Sequence, residues 1–205
     1  VWVTRWDFKS EKDVRNVFKN AQSIGLNRVY LQVRGQADAF YRSSLEPWGE
    51  PLGGRDPGFD PLAVAVAEAR ARDIEICAWV NVLPGWKGKS KPQSRRHVYH
   101  AHPEWFVQDR KGRKHLHDAE RYAMLNPCLP EVRKHLREVI AEIARNYAVD
   151  GVQFDYIRFL RRDLERDGDA PYDAATIARF RRLTGRWPGG ACLLYTSDAA
   201  DEWLR

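Results

Sequence analysis

The chain alternates between short apolar runs and segments in which apolar residues recur at helical spacing. This pattern predicts three strand–helix units followed by a fourth strand, which favours a parallel α/β sheet with right-handed crossovers. A further short helix follows the fourth strand. The predicted strands are Val1–Trp6, Arg28–Arg34, Ile74–Asn81 and Val152–Asp155.

Capping signals mark where the predicted helices begin. Ser10 and Asp13 form a capping box, in which each side chain accepts a hydrogen bond from the other's backbone N–H. Asp60-Pro61 is an N-cap followed by proline at the first helical position, and Pro130 fits the first turn of another helix. The last helix is predicted over 173–184, with inward-facing residues Ile177, Phe180 and Leu183 and with Gly185 as its stop.

The ends of the predicted strands distinguish two architectures. An open doubly wound sheet usually carries a glycine-rich phosphate-binding turn after an early strand, and the sequence has none. All four strands instead end in polar or aromatic side chains, which favours a barrel whose rim carries the functional groups. These groups are Arg5, Trp6, Asp7, Gln32, Arg34, Trp79, Asn81, Asp155, Tyr156 and Arg158.

The stretch 149–159 is the strongest candidate for a catalytic centre. An Asp-Gly turn leads into a short strand that ends at Asp155, and Tyr156 and Arg158 follow directly. Parallel α/β folds keep their chemistry at such strand ends. The structural alternative is that Asp155 caps the next segment or pairs with Arg158.

Two long irregular segments lie between the predicted elements. The loop 35–60 is long enough to predict a functional role, and it carries Asp38, Tyr41 and Trp48. The segment 82–125 contains five histidines, but their spacing matches no metal-binding pattern, so no metal site is predicted. The segment around His102 is predicted to form a lid turn with an exposed aromatic residue.

Composition narrows the class of protein. The 205 residues, 43% of them hydrophobic, suffice for one domain with a core, and no apolar run is long enough to span a bilayer. Three cysteines without a paired framework predict neither a zinc site nor a disulfide scaffold. The net charge of +6 lies mainly in loops and on helix faces, and no nucleic-acid-binding motif accompanies it.

Taken in order, the motifs resemble the bacterial glycosyl hydrolase-like 10 family over residues 1 to about 188. The resemblance rests on Trp2-Val3-Thr4, Gln32-Val33-Arg34, Asp38-Ala39-Phe40-Tyr41, Glu46-Pro47-Trp48, Asp60-Pro61-Leu62, Ala78-Trp79-Val80-Asn81, His102-Pro103-Glu104-Trp105, Asn126-Pro127, Pro130-Glu131-Val132-Arg133 and Asp150 to Arg158. It implies a (β/α)8 barrel that acts outside the cytoplasm on glycans, such as bacterial cell-wall strands.

This resemblance also implies the chemistry of the site. Glycosidic cleavage requires two carboxyl groups, and Asp155 is the candidate for one of them. No cofactor is expected, and the expected partner is a polysaccharide or oligosaccharide. The candidate substrate-binding residues are Arg5, Trp6, Gln32, Arg34, Asp38, Trp79, Asn81, His102, Tyr156 and Arg158.

The domain organisation that we expect is a partial barrel. Residues 1–190 carry four strands, so they correspond to the N-terminal half of a barrel, and the second carboxyl group is expected on later strands. Residues 191–205 resemble the translation of a sequencing adapter and are interpreted as a non-native tail. This chain alone is therefore expected to be inactive and to aggregate or dimerise. The alternative functions are a carbohydrate-binding barrel without catalysis and an anion-binding module that uses basic loops.

Overall fold

The computed structural model describes residues 1–108, 112, 122–158 and 171–187. Four parallel strands form one sheet in the order β1-β2-β3-β6, and their bounds are β1 Trp2–Val3, β2 Arg28–Arg34, β3 Glu75–Asn81 and β6 Gly151–Asp155. The predicted α/β class and the four parallel strands are confirmed. β1 is shorter than predicted, because the chain turns at Thr4, where the backbone N–H of Asp7 donates to the Thr4 carbonyl.

Helices connect the strands and cover one face of the sheet. They are α1 Glu11–Ser23, α2 Pro61–Arg70, a short α3 Val98–Ala101, α4 Pro130–Asn146 and α5 Ala174–Thr184. Single turns of 3-10 helix occupy Glu50–Leu52 and Pro103–Trp105. Outward-facing strand residues such as Val29, Leu31 and Ile76 pack in the core with apolar residues of the helices.

The predicted capping residues occupy the cap positions. Ser10 and Asp13 form the reciprocal capping box of α1. The Asp60 carboxylate accepts hydrogen bonds from the backbone N–H groups of Leu62 and Ala63 at the start of α2. In α5, Asp173 is the N-cap and Gly185 ends the helix in the left-handed conformation. The prediction that Leu183 faces inward is wrong, because its side chain is 64% exposed.

The segment between β3 and α4 contains an antiparallel pair of strands that the sequence pattern did not predict. β4 (Pro84–Trp86) pairs with β5 (Ala123–Met124), and the Leu125 N–H donates to the Leu83 carbonyl beside them. Because β4 follows β3 directly, the pair stands at the carboxyl-terminal edge of the main sheet. Among the described helices, none is long and apolar enough to cross a membrane.

The inner face of the sheet carries the polar and aromatic side chains. Strand register pairs Gln32 with Trp79 and Trp79 with Gln153, and it pairs Asn81 with Asp155 at the carboxyl ends. Paired residues on parallel strands point to the same face. Gln32, Trp79, Asn81 and Asp155 therefore share one face of the sheet. A register shift between Gln32 and Arg34 instead pairs Arg34 with Val80.

Candidate active site

Asp155 lies at the carboxyl end of β6, beside Asn81 of β3. Its carbonyl accepts a hydrogen bond from the Val82 N–H at 2.8 Å, which fixes the end of the strand. Its carboxylate is 35% exposed, and Oδ1 accepts a hydrogen bond from the Tyr156 N–H at 2.7 Å. The carboxylate is therefore both held in place and open to a ligand.

Tyr156 and Arg158 flank this carboxylate. Tyr156 has a φ of 50°, an uncommon left-handed conformation for a residue with a bulky side chain. The Arg158 guanidinium lies over the Tyr156 ring, 4.9 Å from its centroid, and Nη1 is 4.0 Å from Asp155 Oδ1. The ion pair predicted as a structural alternative is thus present, but it is long and solvent-exposed, so it contributes little to stability.

Two residues that the sequence analysis did not single out extend the site. The Tyr122 ring meets the Tyr156 ring edge-on, with centroids 5.5 Å apart. The Lys87 ammonium lies 5.5 Å from the centroid of Tyr122. Both residues flank the unpredicted β4–β5 pair, and recognising that pair is the signal that would have revealed them.

Arg5 and Gln32 form a buried support beneath this rim. Gln32 Oε1 accepts hydrogen bonds from the Arg5 backbone N–H at 3.1 Å and from Nη1 at 3.4 Å, and Arg5 Nη2 donates to the Tyr122 hydroxyl at 3.4 Å. The Arg5 side chain packs so closely over Gly35 that a Cβ there would lie 2.5 Å from Nη1. Gln32 therefore holds Arg5 rather than presenting its oxygen to a ligand. Trp6, in contrast, is 59% exposed beside Arg5.

Arg34 belongs to a buried ion pair. Its side chain is fully buried, and Nε and Nη2 donate to the two carboxylate oxygens of Glu46 at 2.8 and 2.7 Å. Nη1 donates to the carbonyls of Asn81 and Val82. The structure thus corrects the expectation that Arg34 binds substrate, because its donors are engaged and closed to solvent.

The charge of Glu46 depends on this pairing. Burial by itself would raise the pKa of Glu46, but the Arg34 guanidinium and a hydrogen bond with His135 of α4 lower it to about 2. The carboxylate is consequently ionised in the folded protein at neutral pH. Through its contacts with Arg34 and His135, Glu46 connects the loop 35–60 to β2 and α4.

Asp38 and Asn81 are buried at the same end of the sheet. Asp38 Oδ1 accepts hydrogen bonds from the N–H groups of Gly35 and Gln36, while Asn81 Nδ2 donates to the Gly35 carbonyl. Asp38 Oδ2 and Asn81 Oδ1 have no hydrogen-bond partner among the described residues. Buried acceptors normally find donors, so these two oxygens are positions where a water molecule or a ligand hydroxyl would donate.

Trp79 and His102 do not join Asp155. Trp79 lies one layer deeper on the inner face and meets the Trp2 ring edge-on at 5.2 Å, while Trp2 stacks on Tyr30. His102 stacks on Trp105, with ring centroids 3.9 Å apart, and bonds Glu104. A 3-10 turn begins at Pro103, where the sequence predicts a turn, but Trp105 is not exposed as predicted, because it is partly buried and packs against the core.

The described histidines have protein partners. His97 Nδ1 accepts a hydrogen bond from the Tyr99 N–H, so Nε2 donates to the Gln36 carbonyl, and burial lowers the pKa of His97. His100 bonds the Pro92 carbonyl. No cluster of three potential metal ligands occurs in the described ranges. His115, His117 and the tail 191–205 lie outside those ranges.

Sequence relatives of this chain are glycosyl hydrolases. It is 30% identical over 153 residues to glycosyl hydrolase YngK of Bacillus subtilis, covering 72% of this chain and 28% of that protein. It is 31% identical over 147 residues to glycosyl hydrolase DigH of Escherichia coli K12, covering 65% of this chain and 31% of that protein. The chain thus spans less than a third of the length of these relatives.

Solved structures share the fold at low sequence identity. A hypothetical protein from Ruminiclostridium thermocellum superposes with a TM-score of 0.60 at 15% identity, over 94% of this chain and 95% of that one. An alpha-amylase from Lactobacillus plantarum gives 0.51 at 12% identity, over 90% of this chain and 42% of that one. The family model described as glycosyl hydrolase-like 10 matches residues 1–195. Its match, together with the parallel sheet and the rim at Asp155, establishes that this chain belongs to the glycosyl hydrolase-like 10 family.

Proposed function

We propose that the full-length protein hydrolyses glycosidic bonds in a bacterial glycan outside the cytoplasm, with cell-wall strands as the substrate. Asp155 acts as one of the two carboxyl groups that this chemistry requires. The observation that carries the proposal is the placement of this carboxylate. It is partly exposed at a strand end, fixed by backbone hydrogen bonds and bordered by the Tyr156 ring.

The surroundings of Asp155 suit a sugar. The rings of Tyr122 and Tyr156 give apolar surface on which a pyranose can stack, and the exposed Trp6 adds a third aromatic group. The Arg158 guanidinium, 4.0 Å from Asp155 Oδ1, adds a cation to the same rim.

The second carboxyl group is proposed to lie on a part of the full-length protein beyond the described residues. Glycosidases place their two carboxyl groups about 5–10 Å apart across the scissile bond. Asp38 shares this end of the sheet, but it is buried and bound to two backbone N–H groups. It is therefore a poor candidate for the proton donor.

Asp155→Asn in the full-length protein tests the proposal. The amide keeps an oxygen for the Tyr156 N–H and removes the charge, so we expect the protein to fold and cleavage of purified cell-wall glycan to fall about 10³-fold or more. Asp150→Asn is the matched control, because Asp150 lies at the opposite end of the same strand and accepts from the Ile76 N–H. Undiminished cleavage by Asp155→Asn would remove this residue from catalysis. Binding without cleavage by the wild type would identify a carbohydrate-binding barrel.

A further inference from the structure

Among the described residues, cations outnumber carboxylates around Tyr122 and Tyr156. Arg5 Nη2 reaches the Tyr122 hydroxyl, Lys87 lies over the Tyr122 ring, and Arg158 lies over the Tyr156 ring. The Asp155 carboxylate lies 4.0 Å from one of these cations, Arg158. Among the described residues, three cations and one carboxylate therefore border the rings of Tyr122 and Tyr156.

Within the described residues, Lys87 is the partly exposed cation of this set that has no carboxylate partner, whereas Arg5 is buried. Its ammonium contacts the face of Tyr122, and within the described ranges it forms no ion pair with a carboxylate. Arg158 has Asp155 within 4.0 Å, and Arg5 is buried against Gln32. An ammonium on an aromatic face retains its capacity for hydrogen bonding, because the ring supplies no lone-pair acceptor.

The backbone of Lys87 is held in a defined position. Its backbone N–H donates to Gln36 Oε1 at 3.1 Å, which ties the end of β4 to the loop after β2. The side chain is half-buried, so the ammonium projects from a fixed point rather than from a mobile surface loop. Such anchoring lowers the entropic cost of fixing the side chain on a ligand.

We propose that Lys87 binds a carboxylate substituent on the glycan, one sugar unit away from the bond at Asp155. This inference rests on the proposed function and specifies its substrate class as an acidic rather than a neutral glycan. Tyr122 stacks on the sugar that carries the substituent, and Arg5 keeps Tyr122 in place through its hydroxyl. A single accessible ammonium suits a singly charged carboxylate.

The test uses full-length protein that carries Asp155→Asn, so that glycan is bound without being cleaved. Peptide-free cell-wall strands, whose lactyl groups carry carboxylates, are compared by calorimetry with the same strands after reduction of those carboxylates to alcohols. We expect the acidic strands to bind about tenfold more tightly, and adding Lys87→Gln to abolish most of that difference. The preference should also weaken as ionic strength rises.

Lys19→Gln provides the matched control, because it removes the same charge from an exposed position on α1. Equal affinity for acidic and reduced strands, or a preference that survives Lys87→Gln, would overturn the assignment of Lys87 while leaving the glycosidase proposal intact. Failure of both strands to bind would overturn both proposals. A uronate oligosaccharide and its reduced form identify the source of the carboxylate, since a preference for either acidic ligand that depends on Lys87 supports the assignment.

Discussion

Glu46 is a residue whose protonation is coupled to folding. Its pKa is about 2 in the folded protein, below the ordinary value of 4.5, because Arg34 and His135 outweigh the effect of burial. A depressed folded-state pKa contributes stability that is fully present above the unfolded pKa and is lost as the pH falls. The fold should therefore lose about 3 kcal/mol from this group between pH 4.5 and 2. Urea unfolding across that range measures the loss.

Glu46→Gln separates this effect from general acid unfolding. The substitution leaves Arg34 buried without its counter-ion, which should cost about 3–5 kcal/mol at pH 7, and it should flatten the acid limb of the stability profile. Glu138→Gln is the control, since Glu138 pairs with Lys134 at 3.9 Å on the exposed face of α4. An unchanged acid limb in Glu46→Gln would show that other carboxylates dominate.

The sequence predicts which residues stand at the strand ends, but not which groups their side chains contact. Asp155, Tyr156 and Arg158 are close in sequence, so their proximity was predictable. Arg34 was predicted to bind a ligand because the sequence does not show that Glu46 and two backbone carbonyls accept its hydrogen bonds. Glu46 lies in an irregular loop and His135 is 89 residues from it, and no local pattern connects such positions.

Among the elements, two helix caps provide a matched comparison. The Asp60 carboxylate caps α2 and also accepts from the Tyr147 hydroxyl at 2.6 Å, whereas the exposed Ser10 side chain bonds only within its own capping box. We expect Ser10→Ala to cost about 1 kcal/mol and Asp60→Ala about 2 kcal/mol or more, because the latter also strips a half-buried tyrosine of its acceptor. Thermal unfolding of both variants gives the comparison, and equal losses would mean that the Tyr147 contact adds nothing.

Elements governed by local chemistry were predictable, and those governed by tertiary pairing were not. The starts of α1 and α2 follow from Ser10 and Asp60, whose side chains bond residues two or three positions away. β4 and β5 are two short strands with 36 residues between them, so their pairing is a tertiary contact that no local pattern marks. For Leu183, helical spacing correctly marks an apolar face of the helix, but it does not show whether another element covers that face.

For the whole molecule, the described sheet has two open edges, β1 and β6. Trp2 is 51% exposed and Phe154 is 42% exposed on these edge strands. Unpaired strand edges with apolar side chains promote association between chains. A polypeptide restricted to residues 1–190 should therefore associate as its concentration rises, as measured by light scattering, and Phe154→Glu should reduce the effect. A monomer at all concentrations would contradict this expectation.

Because the loop 35–60 is anchored to α4, these contacts can form only late during synthesis of the chain. Ser43 and Ser44 donate hydrogen bonds to the Glu142 carboxylate, and the Arg42 N–H donates to the Tyr147 hydroxyl. His135 forms a hydrogen bond with Glu46. These contacts join residues about 90 to 105 positions apart in the sequence. Contacts this distant close late, because the chain between them must first be ordered. On the ribosome, α1 can form its cap as soon as Asp13 emerges. Glu46 lies only 12 positions from Arg34 and can pair with it early. The loop that supports the rim, however, is anchored to α4 only after residue 147 has been made.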